Sequence, residues 1–456
     1  MLTWEKLLSQ IRRKDLAGAS ESFGTGVGRT EFERDYDRIL FATPTRRLAD
    51  KTQVFPLEKH DSIRTRLTHS HEVSNLARSI GVRLAFEEAD KVFGDQQERL
   101  QVKRNVPSLL AAVGLAHDLG NPPFGHQGEV AMQQWFNELQ SDLAVEVDFL
   151  EFDGNAQTFR LLTRLQVLND QFGLNLTVGT LAALVKYPSV YGSLNKGGFK
   201  KYGIFKSEAA IIEQVWEQTG LTEGIRHPLA YVMEACDDIA YSVIDAEDTV
   251  KKGYASFYDL MDFLQSFDRS DAVIKKVVDG ARKKNLEFRD ESLSSRELND
   301  ISMQMFRVQA ISEMIPCATQ VFVDNIGKMM TGTIEPGFEL IKNSPCGPLC
   351  QATKAFDFRH GFQHREVLAL ELKGNNYIKA MMTILSSAIN LGDNPKAPFE
   401  RYVFGEISEN YRRVFKATNG LQYAKFQLLC DAISGMTESH LMQKHDEFRA
   451  LQVAHT

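Results

Sequence analysis

A chain of 456 residues exceeds an average domain, although a large helical protein can wrap one core of this size. Hydrophobic content of 43% and charged content of 25% are ordinary for a globular protein, and a net charge of −7 argues against a general nucleic-acid coat, which needs a basic surface. The five cysteines (Cys236, Cys317, Cys346, Cys350, Cys430) are few, scattered and odd in number, which suits a reducing, cytoplasmic setting. Within CGPLC, Cys346 and Cys350 lack the second cysteine pair that a zinc site would need. The opening MLTWEKLLSQIRRKD has no uninterrupted apolar stretch and is no signal peptide, and no apolar run reaches membrane length.

Residues 1–29 read as an N-terminal extension, with a short helix over residues 4–13 and a flexible Gly- and Ser-rich loop, GASESFGTGVGRT. Thr30 and Glu33 form a capping-box pattern that opens the ordered domain. Pro44 breaks this first helix and residues 45–51 restart it. Residues 54–57 and 63–67 suggest a small two-stranded piece around a polar turn. His69 then precedes a helix with Val73, Leu76, Ala77, Ile80 and Leu84 on one stripe; a lone histidine there is most often a cap or surface residue. DQQERLQVKRN is a charged connector.

The stretch SLLAAVGLAHDLGNPPFGHQGE organises the rest. Pro107 suits a first helical position, Leu109, Leu110, Val113 and Ala116 repeat at helical spacing, and Gly120 with Pro122 and Pro123 stops the element. At its end stand His117 and Asp118, an imidazole and a carboxylate of the kind a borderline divalent metal accepts. A helix starting near Gly125 puts His126 and Glu129 three apart on one face, so that the carboxylate can orient the imidazole as an acid/base dyad.

Residues 141–151 read as an acidic surface loop, after which FDGNAQTFRLLTRL opens a helix whose first turn Asp153 and Asn155 can cap. TVGTLAALVKYPS is a helix ending at Lys186 and Tyr187, a cation and a phenol suited to phosphate and sugar. The Gly- and Lys-rich loop after it can be a solvated face or can close over a polyanion. In PLAYVMEACDDIAYSVIDAEDTVKKG, Asp237, Tyr241 and Asp245 recur at i, i+4 and i+8 on an otherwise apolar helix. Carboxylates buried there need a metal or paired donors. Methionines of residues 302–330 read as adaptable core, His360 and His364 as structural, and residues 407–416 and 423–436 as packing helices.

HDLGNPPFGH, with RTRLTHSHEV before it and EACDDIAYSVIDAED after it, resembles the HD-domain deoxynucleoside triphosphate triphosphohydrolases of the dGTPase type. The resemblance runs from about Arg29 to the C-terminus, with the motifs in family order. It implies an all-α fold, an HD-type helical core with a small β-hairpin, in a single domain over 30–456 (core about 60–250, C-terminal helical part about 254–456). It makes His69, His117, Asp118 and Asp237 the ligands of one divalent ion, Mn2+ or Mg2+, and His126 with Glu129 the catalytic pair. It places Arg66, Asn155, Lys186 and Lys201 near the phosphates, and Gln53, Tyr187, Tyr241 and Asp245 on the nucleoside side. A later segment matches through Arg359, Phe362 and Glu371. The family usually carries Glu where Asp153 stands, a departure that keeps the charge.

The activity so implied is hydrolysis of a deoxynucleoside triphosphate, dGTP favoured, to deoxynucleoside and inorganic triphosphate, which controls deoxynucleotide pools. Family members often form hexamers and respond to nucleotides or single-stranded DNA, so a homo-oligomer with such a regulator is the expected assembly. Two alternatives stay open at this point. One is an HD phosphohydrolase acting on a cyclic or guanosine-polyphosphate substrate; the other is a nucleotide- or single-stranded-DNA-responsive scaffold.

Overall fold

The computed structural model describes all residues except 20–27, 59, 141–142, 167–169, 290, 393, 419 and 454–456. The molecule is all-α. One continuous apolar core takes in residues from Leu2 to Phe448, so the first and last helices pack into the same interior as the centre. No described helix is long and apolar enough to cross a membrane.

The expected hairpin is replaced by irregular chain. Among the described residues there is no strand, and in this segment only an isolated antiparallel bridge pairs Thr52 with Thr65. Val54, Phe55 and Ile63 instead form a small satellite core with Val367, against which Tyr254 and Phe362 pack. A lone two-stranded ribbon is marginal in water, and burying those side chains on a neighbouring helix satisfies them without strand pairing.

The N-terminal stretch set apart as an extension is packed. It forms two short helices, Trp4–Leu7 and Arg13–Leu16, rather than one. Trp4 donates its indole N–H to the Val92 carbonyl at 2.6 Å, and Arg12 reaches the fully buried Asp35 at 2.8 Å. Most of the Gly- and Ser-rich loop expected to be flexible lies outside the described residues. The capping box of Thr30 and Glu33 starts the helix Glu31–Leu40.

Two helices build the centre. Arg66–Phe86 begins three residues before His69, and Val102–Ala116 begins inside the expected charged connector, leaving Pro107 in its interior. They cross at close range because small residues face each other. A Cβ on Gly81 would stand 3.0 Å from the Pro107 Cα, and one on Gly114 would stand 2.8 Å from the Ser74 Cα. That approach sets the His69 and His117 rings 5.4 Å apart.

The segment expected to be surface loop over 141–151 contains a helical turn, Val147–Leu150, with Asp148 and Phe149 fully buried; residues 141–142 lie outside the described residues. The helix Pro228–Ile239 does not continue regularly. A π-helical turn, Ala240–Ile244, intervenes before Asp245–Lys251. The extra residue in that turn rotates the next helical segment, so Asp237, Tyr241 and Asp245 do not share one straight α-helical stripe.

Candidate active site

The HD turn comes directly after the helix Val102–Ala116. His117 Nδ1 lies 2.7 Å from the Gly114 carbonyl, one turn back, so the ring donates there and its Nε2 lone pair points away from its own helix. Gly120 donates to the Thr158 hydroxyl at 2.9 Å, and Asn121 donates to Asp118 Oδ1 at 2.8 Å. The turn has no room for a side chain at Gly120, where a Cβ would fall 2.1 Å from the Thr158 backbone nitrogen.

Donor atoms of His69, His117 and Asp118 all lie within 4.8 Å of one another. Asp237 completes the ring from the helix Pro228–Ile239, its Oδ1 standing 3.3 Å from His69 Nε2 and 3.6 Å from His117 Nε2. His69 and His117 are buried. Burial alone would pull the His117 imidazole down; Asp118 and Asp237 outweigh it and push its pKa up to about 9. Burial pushes Asp118 the other way, and Arg66 with the imidazoles holds it well below the usual carboxylate range.

These residues fit a divalent ion. Among the described residues the buried Nε2 of His117 has no hydrogen-bond partner while its Nδ1 is committed to a carbonyl, the arrangement of a metal-ligating imidazole with its orienting contact. Two imidazoles, once neutral, and two carboxylates form a donor set that would suit a divalent ion. A cation there competes with the proton on His117.

The helix Gly125–Leu139 starts where expected, after Phe124 in the left-handed region (φ 63°). His126 Nδ1 is 2.9 Å from Glu129 Oε2, and the His126 side chain is 74% exposed against 7% for Glu129. The other Glu129 oxygen accepts the Gly154 N–H at 2.7 Å, so the carboxylate is fixed at both ends. The bond to Glu129 raises the His126 pKa above its ordinary value.

Cations surround this pair. Arg66, at the start of its helix, is buried; its Nε donates to the Thr52 carbonyl at 3.1 Å and its Nη1 pairs with Asp118. In this state it steadies the HD carboxylate. Lys186 lies just past the end of its helix, which stops at Leu184, and its Nζ is 3.5 Å from Glu234 and 4.0 Å from Asp237. Burial lowers its affinity for a proton, but Glu234 and the adjoining acids more than reverse that and keep it charged. Lys201 pairs with Asp153 and stands 4.0 Å from Glu129. Asp153 caps the turn, its Oδ1 accepting from the backbone and side-chain amides of Asn155 at 2.8 and 2.7 Å. Tyr187 packs on Phe199, with ring centroids 6.2 Å apart and Lys186 Nζ 5.8 Å from the Tyr187 ring.

Tyr241 stacks on Phe362 at 5.9 Å and 17°, and Lys354, bonded to Asp238 at 2.6 Å, sits 5.5 Å above the Tyr241 ring. Asp245 is fully buried with neither carboxylate oxygen hydrogen-bonded, and burial together with Asp248 and Asp237, against Arg64, pushes its pKa well above the carboxylate range. Gln53 also has a buried, unpaired Oε1. Glu371 is half-buried and enters no hydrogen bond or ion pair among the described residues; it lies one turn before Gly374, where the helix Arg365–Leu391 touches Phe124. Arg359 is exposed. His364 stacks on Tyr254 and His360 on Phe356, and Cys346 faces Cys317 at 2.9 Å.

Sequence reasoning missed the acids that hold the cations, Glu234 on Lys186 above all. It also missed Arg64, whose guanidinium meets Glu72, Glu247 and Asp248 and fastens the helix Arg66–Phe86, which carries His69, to Asp245–Lys251. The sequence offered no signal for Glu234 on Lys186 or for Glu247 and Asp248 on Arg64, because those partners lie far apart along the chain.

Comparison with known proteins adds to this geometry. The HD domain family model matches residues 66–163. The chain is 32% identical to a deoxyguanosinetriphosphate triphosphohydrolase-like protein of Listeria monocytogenes, over 99% of this chain and 100% of that one. It is 30% identical to one of Synechocystis, over 99% of this chain and all of that one. It is also 30% identical to the deoxyguanosinetriphosphate triphosphohydrolase of Serratia proteamaculans, over 93% and 94% of the two chains. With the HD turn, its four converging donors and this near full-length similarity together, the chain belongs to the HD-domain dGTP triphosphohydrolase family.

Proposed function

We propose that the protein hydrolyses deoxynucleoside triphosphates, dGTP in preference, to deoxynucleoside and inorganic triphosphate, and so controls deoxynucleotide pools. The observation that carries this reading is an exposed imidazole, His126, backed by a fixed carboxylate on the helix that follows the turn of His117 and Asp118, whose donor atoms group with that of His69 and approach Asp237. A divalent ion held by His69, His117, Asp118 and Asp237 would supply Lewis acidity and lower the pKa of a coordinated water. His126 moves a proton, either onto the departing 5′ oxygen or off the attacking water. Glu129 keeps its ring turned and its pKa raised for that task.

Lys186, Lys201 and Arg66 supply the positive charge that a triphosphate needs, and Asn155 lies on the same Asp153 as Lys201. On substrate entry, phosphate oxygens take the place of the carboxylates that those cations now pair with. Gln53, Tyr187, Tyr241 and Asp245 serve the sugar, with Phe362 stacked behind Tyr241 and Glu371 further out. The unpaired buried oxygens of Asp245 and Gln53 are acceptors that a sugar hydroxyl can satisfy, and a close wall at the 2′ position rejects ribonucleotides.

The test is product identity. The four deoxynucleoside triphosphates, alone and in mixtures, are incubated with Mg2+ or Mn2+ and the phosphate product is resolved. Inorganic triphosphate is expected, fastest from dGTP. Pyrophosphate or orthophosphate as the first product would instead indicate another HD phosphohydrolase, and tight nucleotide binding without any turnover a scaffold. A homo-oligomer regulated by nucleotide or single-stranded DNA is part of the same proposal, read from the turnover of mixtures and from solution mass.

A further inference from the structure

We propose that Glu438, on the C-terminal helix Glu438–Val453, is a positioning residue for the active site. Its single carboxylate holds both the segment that carries Gln53 and the turn that aims His126. Glu438 is buried. Oε1 accepts the Thr52 N–H at 2.6 Å and the Phe124 N–H at 3.0 Å. Oε2 accepts the Thr52 hydroxyl at 2.7 Å and the Leu57 N–H at 3.4 Å.

The two ends of this clamp matter for different reasons. Phe124 adopts φ 63°, a region that residues with a side chain avoid, and it is the residue from which the helix bearing His126 and Glu129 starts. A charged acceptor on its N–H is the stronger kind of hydrogen bond and holds the chain in that conformation. Thr52 precedes Gln53, and its carbonyl receives Arg66 Nε at 3.1 Å, so fixing Thr52 also fixes the guanidinium on Asp118. Neighbouring residues tighten the same junction. Lys51 Nζ donates to the Asn121 carbonyl at 2.6 Å and to the Ser434 carbonyl at 2.7 Å, and Asp50 accepts from Ser439. Three successive residues, Asp50, Lys51 and Thr52, are thus bonded to the facing ends of the last two helices, at Ser439, Ser434 and Glu438.

The metal donors have separate supports: His117 on the Gly114 carbonyl, Asp118 on Asn121, and the HD turn on Thr158. Loss of the Glu438 charge therefore loosens the aim of His126 and of the Gln53 segment while leaving the cluster assembled. A catalytic group displaced by an ångström can cost about 100-fold in rate.

The catalytic consequence rests on the triphosphohydrolase reading, and the experiment separates the two. Full-length wild type, Glu438→Gln and Glu438→Asp are compared in four measurements: kcat and KM for dGTP with Mn2+, Mn2+ stoichiometry by electron paramagnetic resonance, thermal midpoint, and amide exchange resolved to peptides by mass spectrometry. Glu438→Gln is expected to keep full Mn2+ binding, lose about ten- to a hundredfold in kcat, and exchange faster in peptides covering residues 52–57 and 122–127 only. Glu438→Asp, which keeps the charge but shortens its reach, should fall between.

Unchanged kcat and unchanged exchange in those peptides would overturn the assignment. So would faster exchange spread equally over the metal-bearing helices with loss of Mn2+, or failure of both variants to fold, either of which marks a purely structural clamp. If wild type releases no inorganic triphosphate, the activity reading falls, and the exchange and Mn2+ measurements still decide the role of Glu438.

Discussion

His126 is solvent-facing while the carboxylate behind it is buried, and that asymmetry gives the residue its testable chemistry. Replacing it with alanine should lower kcat about 10²- to 10⁴-fold while nucleotide and Mn2+ binding persist, as read by equilibrium titration. The pH profile distinguishes its role. Its bond to Glu129 raises the folded pKa, so Glu129→Gln should bring that pKa down. If His126 acts as the acid, activity is lost as pH rises through its pKa, and the alkaline limb of kcat moves to lower pH in the variant. If it acts as the base, activity is lost as pH falls through that pKa, and the acidic limb moves to lower pH. At the metal cluster, Asp237 Oδ1 approaches both imidazoles, so Asp237→Ala should abolish stoichiometric Mn2+ binding. Retention of a bound ion by that variant, seen in the Mn2+ resonance, would remove Asp237 from the ligand set.

At the scale of elements, glycines let helices and turns approach closely enough to form a site. The HD turn rests on the first turn of the helix Gly154–Arg160 through Gly120, Thr158 and Gly154. A Cβ on Gly154 would fall 1.9 Å from Asn121 Oδ1 and 2.9 Å from Glu129 Oε1, between the two catalytic turns. Gly154→Ala should therefore depress kcat by about tenfold or more, in proportion to how far Glu129 is pushed from His126. Gly120→Ala strikes rigid backbone instead; it should cost about 1–3 kcal/mol of stability, as overpacking does, measured by urea denaturation. The π-helical turn Ala240–Ile244 follows Asp237, the proposed metal ligand, and itself carries Tyr241, proposed for the sugar; such turns recur at functional sites.

Across the whole molecule, buried ion pairs tie the C-terminal helices to the centre. Arg160 forks onto Asp431 with Nε and Nη2 at 2.8 and 2.7 Å and reaches Glu208 with Nη1 at 2.7 Å, all three side chains being buried. Asp431→Ala leaves that buried guanidinium short of its main partner, and should destabilise the protein by about 3–5 kcal/mol. A loss in denaturation experiments no larger than that of an exposed pair would contradict this. With Glu438 and Lys51 bonded around the junction that follows Asp431, the last two helices are tied to the segments that flank the candidate site.

Much of the site was legible because it is local in sequence. HDLGNPPFGHQGE places two candidate donors, a helix stop and an imidazole with its carboxylate within one short run, and helical spacing alone puts His126 over Glu129. Apolar periodicity likewise gave the buried stripe of Val73, Leu76, Ala77, Ile80 and Leu84. What periodicity cannot show is where a regular pattern stops being regular: the π turn broke the expected Asp237, Tyr241 and Asp245 stripe, and the expected hairpin dissolved once Val54 and Ile63 found a helix to bury against. Nor can one sequence reveal which charge answers which. Arg66 on Asp118 and Lys186 on Glu234 are pairings made by folding, and Glu438 meets Phe124 across 314 residues. Local chemistry and helix identity were set by residue order, because both depend on neighbours a turn apart. The partnership of distant charges was decided by tertiary packing, because a buried ion must find its counter-charge wherever the fold delivers one.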